Sequence, residues 1–323
     1  MRLLFEKKHT VPLECIDTIK YENAVYWRRS PSNASQTLLL SGSSDRTIRC
    51  WNMNFGKCVK EIQGYTDTIH YMKVLESGEK ICCTKDRKII KIWNFTSRCL
   101  NSLHGHLDWV SCLIVTKSGD LISGSFDHLI KIWDIRIGRC KATLYGHTSC
   151  VSCLAMLPNN YLVSGSRDDA IKIWNLSEAV CVKTLLGHTD WVNSILVISK
   201  NELISSSSDN TIRVWDINLC KCIKIIFTDN HLFSSLLLLS SGQLASSSKD
   251  NQIKIFDLNS GKCVRVLSDH SNFVMCLLVL PTGELVSGSW DRTIKIWDLK
   301  KNVCIKTLNA HTGWISYITY LRI

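Results

Sequence analysis

Residues 41–51 have the sequence Ser41-Gly-Ser-Ser-Asp-Arg-Thr-Ile-Arg-Cys-Trp51, and residues 287–297 repeat it as Ser287-Gly-Ser-Trp-Asp-Arg-Thr-Ile-Lys-Ile-Trp297. The shared pattern is a small and polar triplet, an aspartate, and alternating aliphatic and basic residues that end at an aromatic side chain. A repeat of this pattern every 40 to 42 residues predicts a chain built from like structural units. The aromatic ends are Trp51, Trp93, Trp133, Trp174, Trp215, Phe256 and Trp297.

One unit, residues 106–146, shows which secondary structure repeats. Its short apolar or alternating segments are separated by turns with Gly or Asp, which is typical of strands in an antiparallel sheet. One such sheet cannot cover both of its faces, whereas seven sheets stacked around an axis can. We therefore predict an all-β fold: a seven-bladed β-propeller of four-stranded antiparallel blades. The predicted strands of this unit are 110–115, 121–125, 129–135 and 141–144.

The repeat also predicts the domain organisation, with one domain over residues 1–323. In the first unit, His9 fits the position that other units fill with histidine only if an insertion around residues 21–35 forms a surface loop. Ring closure has two solutions, since 3–6 and 311–320 both offer a strand: the two termini share a blade, or the chain is a fragment. We expect seven blades. The approximate units are 1–52, 53–94, 95–134, 135–175, 176–216, 217–257 and 258–298, with closing strands in 299–323.

Gly-His and Trp-Asp pairs recur at fixed places in these units, for example Gly146-His147 and Trp297-Asp298. With these pairs in register over essentially the whole chain, the sequence resembles the WD-repeat β-propellers. The resemblance implies a buried hydrogen-bond network in each regular unit, from Trp through Ser and His to Asp, which fixes the turns. The residues of this structural network are His106, Ser123, Asp127, Trp133; His147, Ser164, Asp168, Trp174; His188, Ser205, Asp209, Trp215; and His270, Ser287, Asp291, Trp297.

The same residue types also suggest a catalytic triad. The interval from His to Asp is 21 residues in all four units, whereas a nucleophile needs one exposed and activated copy. We therefore expect a structural role, no catalytic residue and no enzyme. The sequence contains no nucleotide-binding loop and no zinc-ligand spacing, so we expect no cofactor and no metal site.

Two further units depart from the pattern. In the second unit, Tyr65 stands at the histidine position and Cys82 at the serine position. In the sixth, Thr228-Asp229 replaces Gly-His and Phe256 replaces the tryptophan. We expect the sixth blade to lack the network and to be the softest of the ring.

The net charge of +11 is distributed by the repeat. One basic residue stands two positions before each aromatic end, which predicts charge on a solvated strand surface around the ring. Because no concentrated basic run occurs, we do not expect nucleic acid as a partner. These basic residues are Arg49, Lys91, Lys131, Lys172, Arg213, Lys254 and Lys295.

Seven of the sixteen cysteines recur every 41 residues, which places them too far apart for disulfide bonds. We interpret them as small buried residues in a reducing compartment. Residues 1–8 lack the apolar core of a signal peptide, and the apolar run at 236–239 is far too short to span a membrane. These features favour the cytoplasm, with the nucleus as the alternative, and no membrane contact. The periodic cysteines are Cys58, Cys99, Cys140, Cys181, Cys222, Cys263 and Cys304.

Strand connections alternate between the two ends of a blade, so the loop after the histidine and the aspartate turn lie on one face. We call this face the rim face. Two positions at the start of a first strand and one before the aspartate should project from it, although the aromatic members could instead fold onto neighbouring blades. Exposed Trp and Arg are the residue types enriched at binding hot spots. The predicted partner-binding residues are Trp109, Phe126, Arg167, Trp191, Phe273, Trp290, His70, Lys85 and Lys249, and Trp314 joins them if the last strand docks.

The function that these features favour is a non-enzymatic scaffold or adaptor that presents the rim face to proteins or peptides within a larger complex. The alternative is a substrate receptor of a ubiquitin-ligase-type complex. The turn at Arg167 resembles the arginine-bearing turns of propellers in F-box receptors that bind phosphorylated peptides. A planar guanidinium suits a phosphate because it donates two parallel hydrogen bonds.

Overall fold

The computed structural model describes residues 37–63, 68–74, 80–84, 88–94, 99–228, 233–309 and 311–322. These residues form 28 strands in seven four-stranded sheets, and each strand pairs antiparallel with its neighbours. The predicted class, an all-β propeller of four-stranded antiparallel blades, is confirmed. No helix in the described ranges is long and apolar enough to cross a membrane.

The strands follow the repeat, with four to each blade. The first blade contains β1 (Thr37–Ser43), β2 (Ile48–Asn52), β3 (Lys57–Ile62) and, from the other end of the chain, β28 (Ile315–Arg322). The second contains β4 (Ile69–Val74), β5 (Lys80–Thr84), β6 (Ile90–Trp93) and β7 (Cys99–Leu103). The third contains β8 (Val110–Val115), β9 (Leu121–Ser125), β10 (Ile130–Asp134) and β11 (Arg139–Leu144). The fourth contains β12 (Val151–Met156), β13 (Leu162–Ser166), β14 (Ile171–Asn175) and β15 (Val180–Leu185).

The remaining blades have the same order. The fifth contains β16 (Val192–Val197), β17 (Glu202–Ser207), β18 (Thr211–Asp216) and β19 (Lys221–Phe227). The sixth contains β20 (Phe233–Leu238), β21 (Leu244–Ser248), β22 (Gln252–Phe256) and β23 (Cys263–Ser268). The seventh contains β24 (Val274–Val279), β25 (Leu285–Ser289), β26 (Thr293–Asp298) and β27 (Val303–Asn309).

The ring closes through β28, the innermost strand of the first blade. It pairs with β1 and contacts β24 on one side and β4 on the other, while the inner strands of the other blades contact one another in chain order. One blade is therefore built from strands at both ends of the described part of the chain, within residues 37–62 and 315–322. His9, residues 3–6 and the 21–35 insertion lie outside the described residues. The histidine position of the first blade is filled by His311, so its assignment to His9 is wrong.

In every blade except the second, the small and polar triplet of the repeat lies on the second strand, where neighbouring blades meet. β9, β13, β21 and β25 are buried along their whole length. A Cβ atom on Gly124 would lie 2.6 Å from Cγ1 of Val151 in the next blade. Glycine and serine are therefore required because they let aliphatic side chains of the adjacent blade approach the backbone.

Two expectations about the outer parts of the blades are wrong. The periodic cysteines are half-buried or exposed, because they lie on the outermost strands, which no further strand covers. The periodic basic residues are less solvated than expected, since six of them are half-buried and Lys295 is buried. Arg49 Nη2, for example, lies 2.6 Å from Glu61 Oε2. The thirteen cysteines whose side chains the structure describes are free thiols.

The two irregular blades are described to different extents. Tyr65 lies outside the described residues, as does the side chain of Cys82. In the sixth blade, Phe256 is 3% exposed and occupies the place of the tryptophan, and Ser246 Oγ donates instead to the carbonyl oxygen of Ser235 at 3.4 Å. The described part of the sixth blade therefore has no tryptophan–serine–histidine chain. Its predicted softness stays a prediction.

Candidate functional site

The site begins with the buried network that fixes the turns of the rim face. In the third blade, Trp133 Nε1 donates to Ser123 Oγ at 2.7 Å, and Ser123 Oγ lies 2.7 Å from His106 Nε2. His106 Nδ1 lies 2.8 Å from Asp127 Oδ2. These four residues come from two strands and two turns, and a chain of hydrogen bonds connects them.

The same chain of hydrogen bonds recurs in four other blades, with Trp–Ser distances of 2.7–2.8 Å, Ser–His distances of 2.6–2.7 Å and His–Asp distances of 2.6–2.8 Å. In the first blade, the histidine is 266 residues from its aspartate in sequence. The members beyond the third blade are Trp51, Ser41, His311, Asp45; Trp174, Ser164, His147, Asp168; Trp215, Ser205, His188, Asp209; and Trp297, Ser287, His270, Asp291.

These distances resemble those of a catalytic triad, but the surroundings of the serine do not suit a nucleophile. Ser123 is 0% exposed, and its oxygen already accepts the indole N–H of Trp133. Since the indole can only donate, the serine O–H is directed to His106 Nε2, and the histidine then donates from Nδ1 to Asp127. Every donor in this chain has an acceptor when the histidine is neutral and the aspartate is charged. The network is therefore suited to holding turns in place.

The aspartate carries the charge of each network. Burial alone would raise the pKa of Asp127, but hydrogen bonds from His106 and from the backbone N–H of Leu107 lower that pKa to about 2. Asp168 has the same balance, with burial opposed by His147, and its pKa is also lowered to about 2. The carboxylates thus stay ionised and hold two loops of the rim face at once.

The turn beyond each network positions the exposed residues. Asp127 accepts the backbone N–H groups of Leu107 and Leu129, and the backbone N–H of Phe126 donates to the carbonyl oxygen of Trp109 at 2.7 Å. The corresponding bond joins Trp290 to Phe273 at 2.9 Å. These two blades therefore present the residue before the aspartate directly beside the start of the blade's innermost strand.

Four of the predicted partner-binding residues form one continuous group, which we call the arginine row: Trp109, Phe126, Arg167 and Trp191. The rings of Trp109 and Phe126 lie 5.2 Å apart. The guanidinium carbon of Arg167 lies 4.7 Å from the centre of the Phe126 ring and 4.1 Å from the centre of the Trp191 ring. The row crosses from the third blade through the fourth to the fifth, and cation–π attraction holds its middle.

Three residues on the other side of the face form a second group, which we call the tryptophan stack: Phe273, Trp290 and Trp314. Phe273 and Trp290 lie 5.0 Å apart, and Trp290 and Trp314 stack at 4.5 Å with their planes 13° apart. Trp314 comes from the turn before β28, so the stack spans the closing junction of the ring. Its place in the sequence prediction depended on the docking of that strand.

Some aromatic side chains of the rim face are exposed, and others fold onto their neighbours. Trp109, Trp191 and Trp314 are 43%, 45% and 46% exposed, whereas Phe126 and Trp290 are half-buried against them. Phe126 and Trp290 thus fold down onto the blades and support the exposed tryptophans beside them. Lys249 is exposed on the sixth blade, outside both groups. Lys85 and the side chain of His70 lie outside the described residues.

The repeat itself identifies the family. The profile described as "WD domain, G-beta repeat" matches residues 14–52, 97–134, 138–175, 179–216 and 261–298, which together are more than half of the chain. The chain belongs to the WD40-repeat family. The two units that the WD40 profile does not match are the second and the sixth, where the sequence has Tyr65 and Phe256 in place of the usual residues.

Curated WD40-repeat proteins match only short parts of the chain. A segment of 78 residues is 32% identical to "Ribosome biogenesis protein WDR12 homolog" of Trichoplax adhaerens and covers 23% of this chain and 18% of that protein. A segment of 94 residues is 32% identical to "WD repeat-containing protein on Y chromosome" of Anopheles gambiae, with 28% and 9% covered. One of 67 residues is 28% identical to "Nuclear distribution protein PAC1" of Arthroderma otae, with 21% and 14% covered. The matched segments span less than a fifth of each relative.

Proposed function

We propose that this WD40-repeat protein is a non-enzymatic scaffold or adaptor whose rim face binds protein or peptide partners within a larger complex in the cytoplasm or the nucleus. The observation that supports this proposal is the arginine row together with the tryptophan stack. Large aromatic side chains are costly to leave in water, and Trp with Arg dominates the energetics of protein interfaces. Their rigid support by neighbouring rings lowers the entropy that binding would otherwise cost.

The names of the relatives refer to different processes, ribosome biogenesis and nuclear distribution. They therefore favour a protein-binding role in an assembly without choosing one pathway for this chain. The partner has to be found by experiment. We expect it to meet at least two blades, because both groups of aromatic residues cross a blade junction.

The test is affinity purification with mass spectrometry from native cells, comparing the wild type with the double variant Trp109→Ala/Trp191→Ala. A matched control is Phe55→Ala, which removes a ring that is 73% exposed on a turn at the opposite face. Loss of two hot-spot side chains should weaken a rim-face partner by about 30-fold or more. A set of partners that disappears only in the double variant, with unchanged melting temperature, supports the proposal.

An unchanged set of partners in the double variant would refute the use of the arginine row. The binding surface would then lie on the opposite face or at the blade edges. A set that is lost equally in Phe55→Ala would indicate a nonspecific effect of removing exposed rings.

A second candidate function is the substrate receptor for phosphorylated peptides, and one observation favours it. The guanidinium of Arg167 makes no hydrogen bond or ion pair to any residue in the described ranges, although it is held flat between two rings. A planar fork held in this way is well placed to bind a phosphate with two hydrogen bonds. Charge reversal would also break the row, so the sharper variant is Arg167→Lys, which keeps the charge and removes the fork.

Phosphatase treatment of the captured complex separates the two candidates. A phosphopeptide receptor should release its partner after this treatment and should lose it in Arg167→Lys. A scaffold that depends on the aromatic side chains should keep its partner after dephosphorylation.

A further inference from the structure

Basic side chains join successive blades on the face opposite the rim. Lys183 Nζ, on the outer strand of the fourth blade, lies 2.8 Å from the carbonyl oxygen of Ile217 and 3.4 Å from that of Asn218 in the fifth. Lys306 Nζ lies 3.2 Å and 3.4 Å from the carbonyl oxygens of Met53 and Asn54. We call this arrangement a blade clamp: one cation bound to two successive carbonyl oxygens of the next blade's turn.

The junction between the fifth and sixth blades has the same clamp, in which Lys224 Nζ binds the carbonyl oxygens of Leu258, at 2.7 Å, and Asn259. Between the sixth and seventh blades, Arg265 Nη1 binds one carbonyl oxygen of the turn, that of Leu299. At four consecutive junctions, from the fourth blade round to the first, a basic side chain therefore binds the turn of the next blade.

The junction between the third and fourth blades lacks this clamp. Lys183 pairs in register with Ile173, and the residue that pairs with Ile132 in the same place of the third blade is Ala142. A methyl group cannot donate a hydrogen bond. The carbonyl oxygens of Leu176 and Ser177, which correspond to those of Ile217 and Asn218, accept no hydrogen bond from the described residues.

A groove of about 540 Å³ lies over this position, and its lining includes Ala142, Met156, Tyr161, Leu176 and Ser177. The groove between the sixth and seventh blades has a similar volume, about 500 Å³, but Arg265 enters it and binds the turn. A groove is thus common to both junctions. The difference is that, between the third and fourth blades, the chain provides no cation for the carbonyl oxygens of Leu176 and Ser177.

The lysine next in sequence does not replace the missing clamp. Lys141 Nζ lies 2.6 Å from Asp120 Oδ1 and 3.6 Å from Asp134 Oδ2, both within its own blade. These carboxylates offset its charge, so Lys141 opposes a second cation in the groove only weakly.

We propose that this groove binds a lysine side chain of a partner protein. The aliphatic part of that side chain would pack on Ala142, Met156 and Tyr161, as lysine stems commonly do on apolar surface. Its ammonium group would donate to the carbonyl oxygens of Leu176 and Ser177, just as Lys183, Lys224 and Lys306 donate to the equivalent carbonyl oxygens at three other junctions. The site lies on the face opposite the arginine row, so it is independent of the proposed function of the rim face.

The test is a titration of the full, isotope-labelled chain with Nα-acetyl-lysine N-methylamide, followed by NMR. We expect saturable shifts of the backbone signals of Leu176, Ser177 and Glu178, with a Kd of about 1–10 mM for a single side chain. The diacetylated compound, which has no positive charge, should give no such shifts. Shifts of equal size with both compounds, or none at these residues with either, would overturn the proposal.

Two variants serve as matched controls. Ala142→Lys provides the missing clamp, so the signals of Leu176 and Ser177 should no longer respond to the ligand and the melting temperature should rise. Lys183→Ala opens the next junction, and new saturable shifts should appear at Ile217 and Asn218. If Lys183→Ala remains folded and gains no response there, the clamp geometry does not define a lysine site and the proposal is wrong.

Discussion

Replacing Trp133 with alanine tests the network that supports the rim face. The indole is fully buried, donates to Ser123 and packs where the second and third blades meet, among Ile92, Val110 and Leu121. Deletion of a buried indole costs about 3–5 kcal/mol through the cavity and lost contacts. With roughly 0.6 kcal/mol per kelvin of unfolding entropy for a ring of this size, Trp133→Ala should lower the melting temperature by about 5–8 °C.

Trp133→Phe separates packing from hydrogen bonding. The sixth blade already has a phenylalanine at this position, Phe256, which is buried. Trp133→Phe should therefore cost only about 1–2 kcal/mol, mainly from the lost hydrogen bond to Ser123. Calorimetry of the wild type, Trp133→Ala and Trp133→Phe measures the three melting temperatures. A melting temperature of Trp133→Ala within about 1 °C of the wild type, or equal losses in both variants, would refute the role of the indole in the network.

Three other properties can be predicted from the same structure. The pKa of Asp127 is lowered from 3.8 to about 2 in the folded state, so the unfolded chain binds more protons at pH 3. The free energy of unfolding should therefore be retained above pH 4 and fall as the pH drops towards 2. Urea titrations at several pH values measure this. Gly124→Ala places a methyl group against Val151 and should cost about 1–3 kcal/mol, measured by urea unfolding; a loss below about 0.5 kcal/mol would mean that the blades can separate at this contact. Cys140 is exposed and should react quickly with a thiol reagent, whereas buried Cys276, whose pKa burial raises to about 12, should react only on unfolding; comparable native rates in single-cysteine proteins would contradict this order.

The sequence was sufficient to predict the fold class because the period and the strand alternation are both local properties. The assignment of Trp109 and Phe126 to one face of the same blade followed from the alternation of strand connections between the two ends of a blade. Contacts between blades were not predictable in this way. The sandwich of Arg167 between Phe126 and Trp191 joins three blades, and no pattern within one unit specifies it.

Two wrong expectations have clear physical causes. His311 completes the network of the first blade from 266 residues away, and a nearby histidine, His9, was the simpler choice when only sequence distance was considered. The periodic cysteines were expected inside because free cysteine is commonly buried. Cys140 lies instead on an outermost strand, where no further strand covers it, and its thiol donates to the carbonyl oxygen of Ala142 at 3.2 Å.

Closure of the ring by β28 also determines the order in which the molecule becomes complete during synthesis. Ile315 and Ile318 fill the core between the seventh and first blades, next to Leu39 and Leu280. Until the ribosome has released β28, that apolar surface faces water, although the residues of every other strand have already been made. A nascent chain that pauses before Ile315 therefore exposes this apolar surface, which chaperones recognise and which favours aggregation.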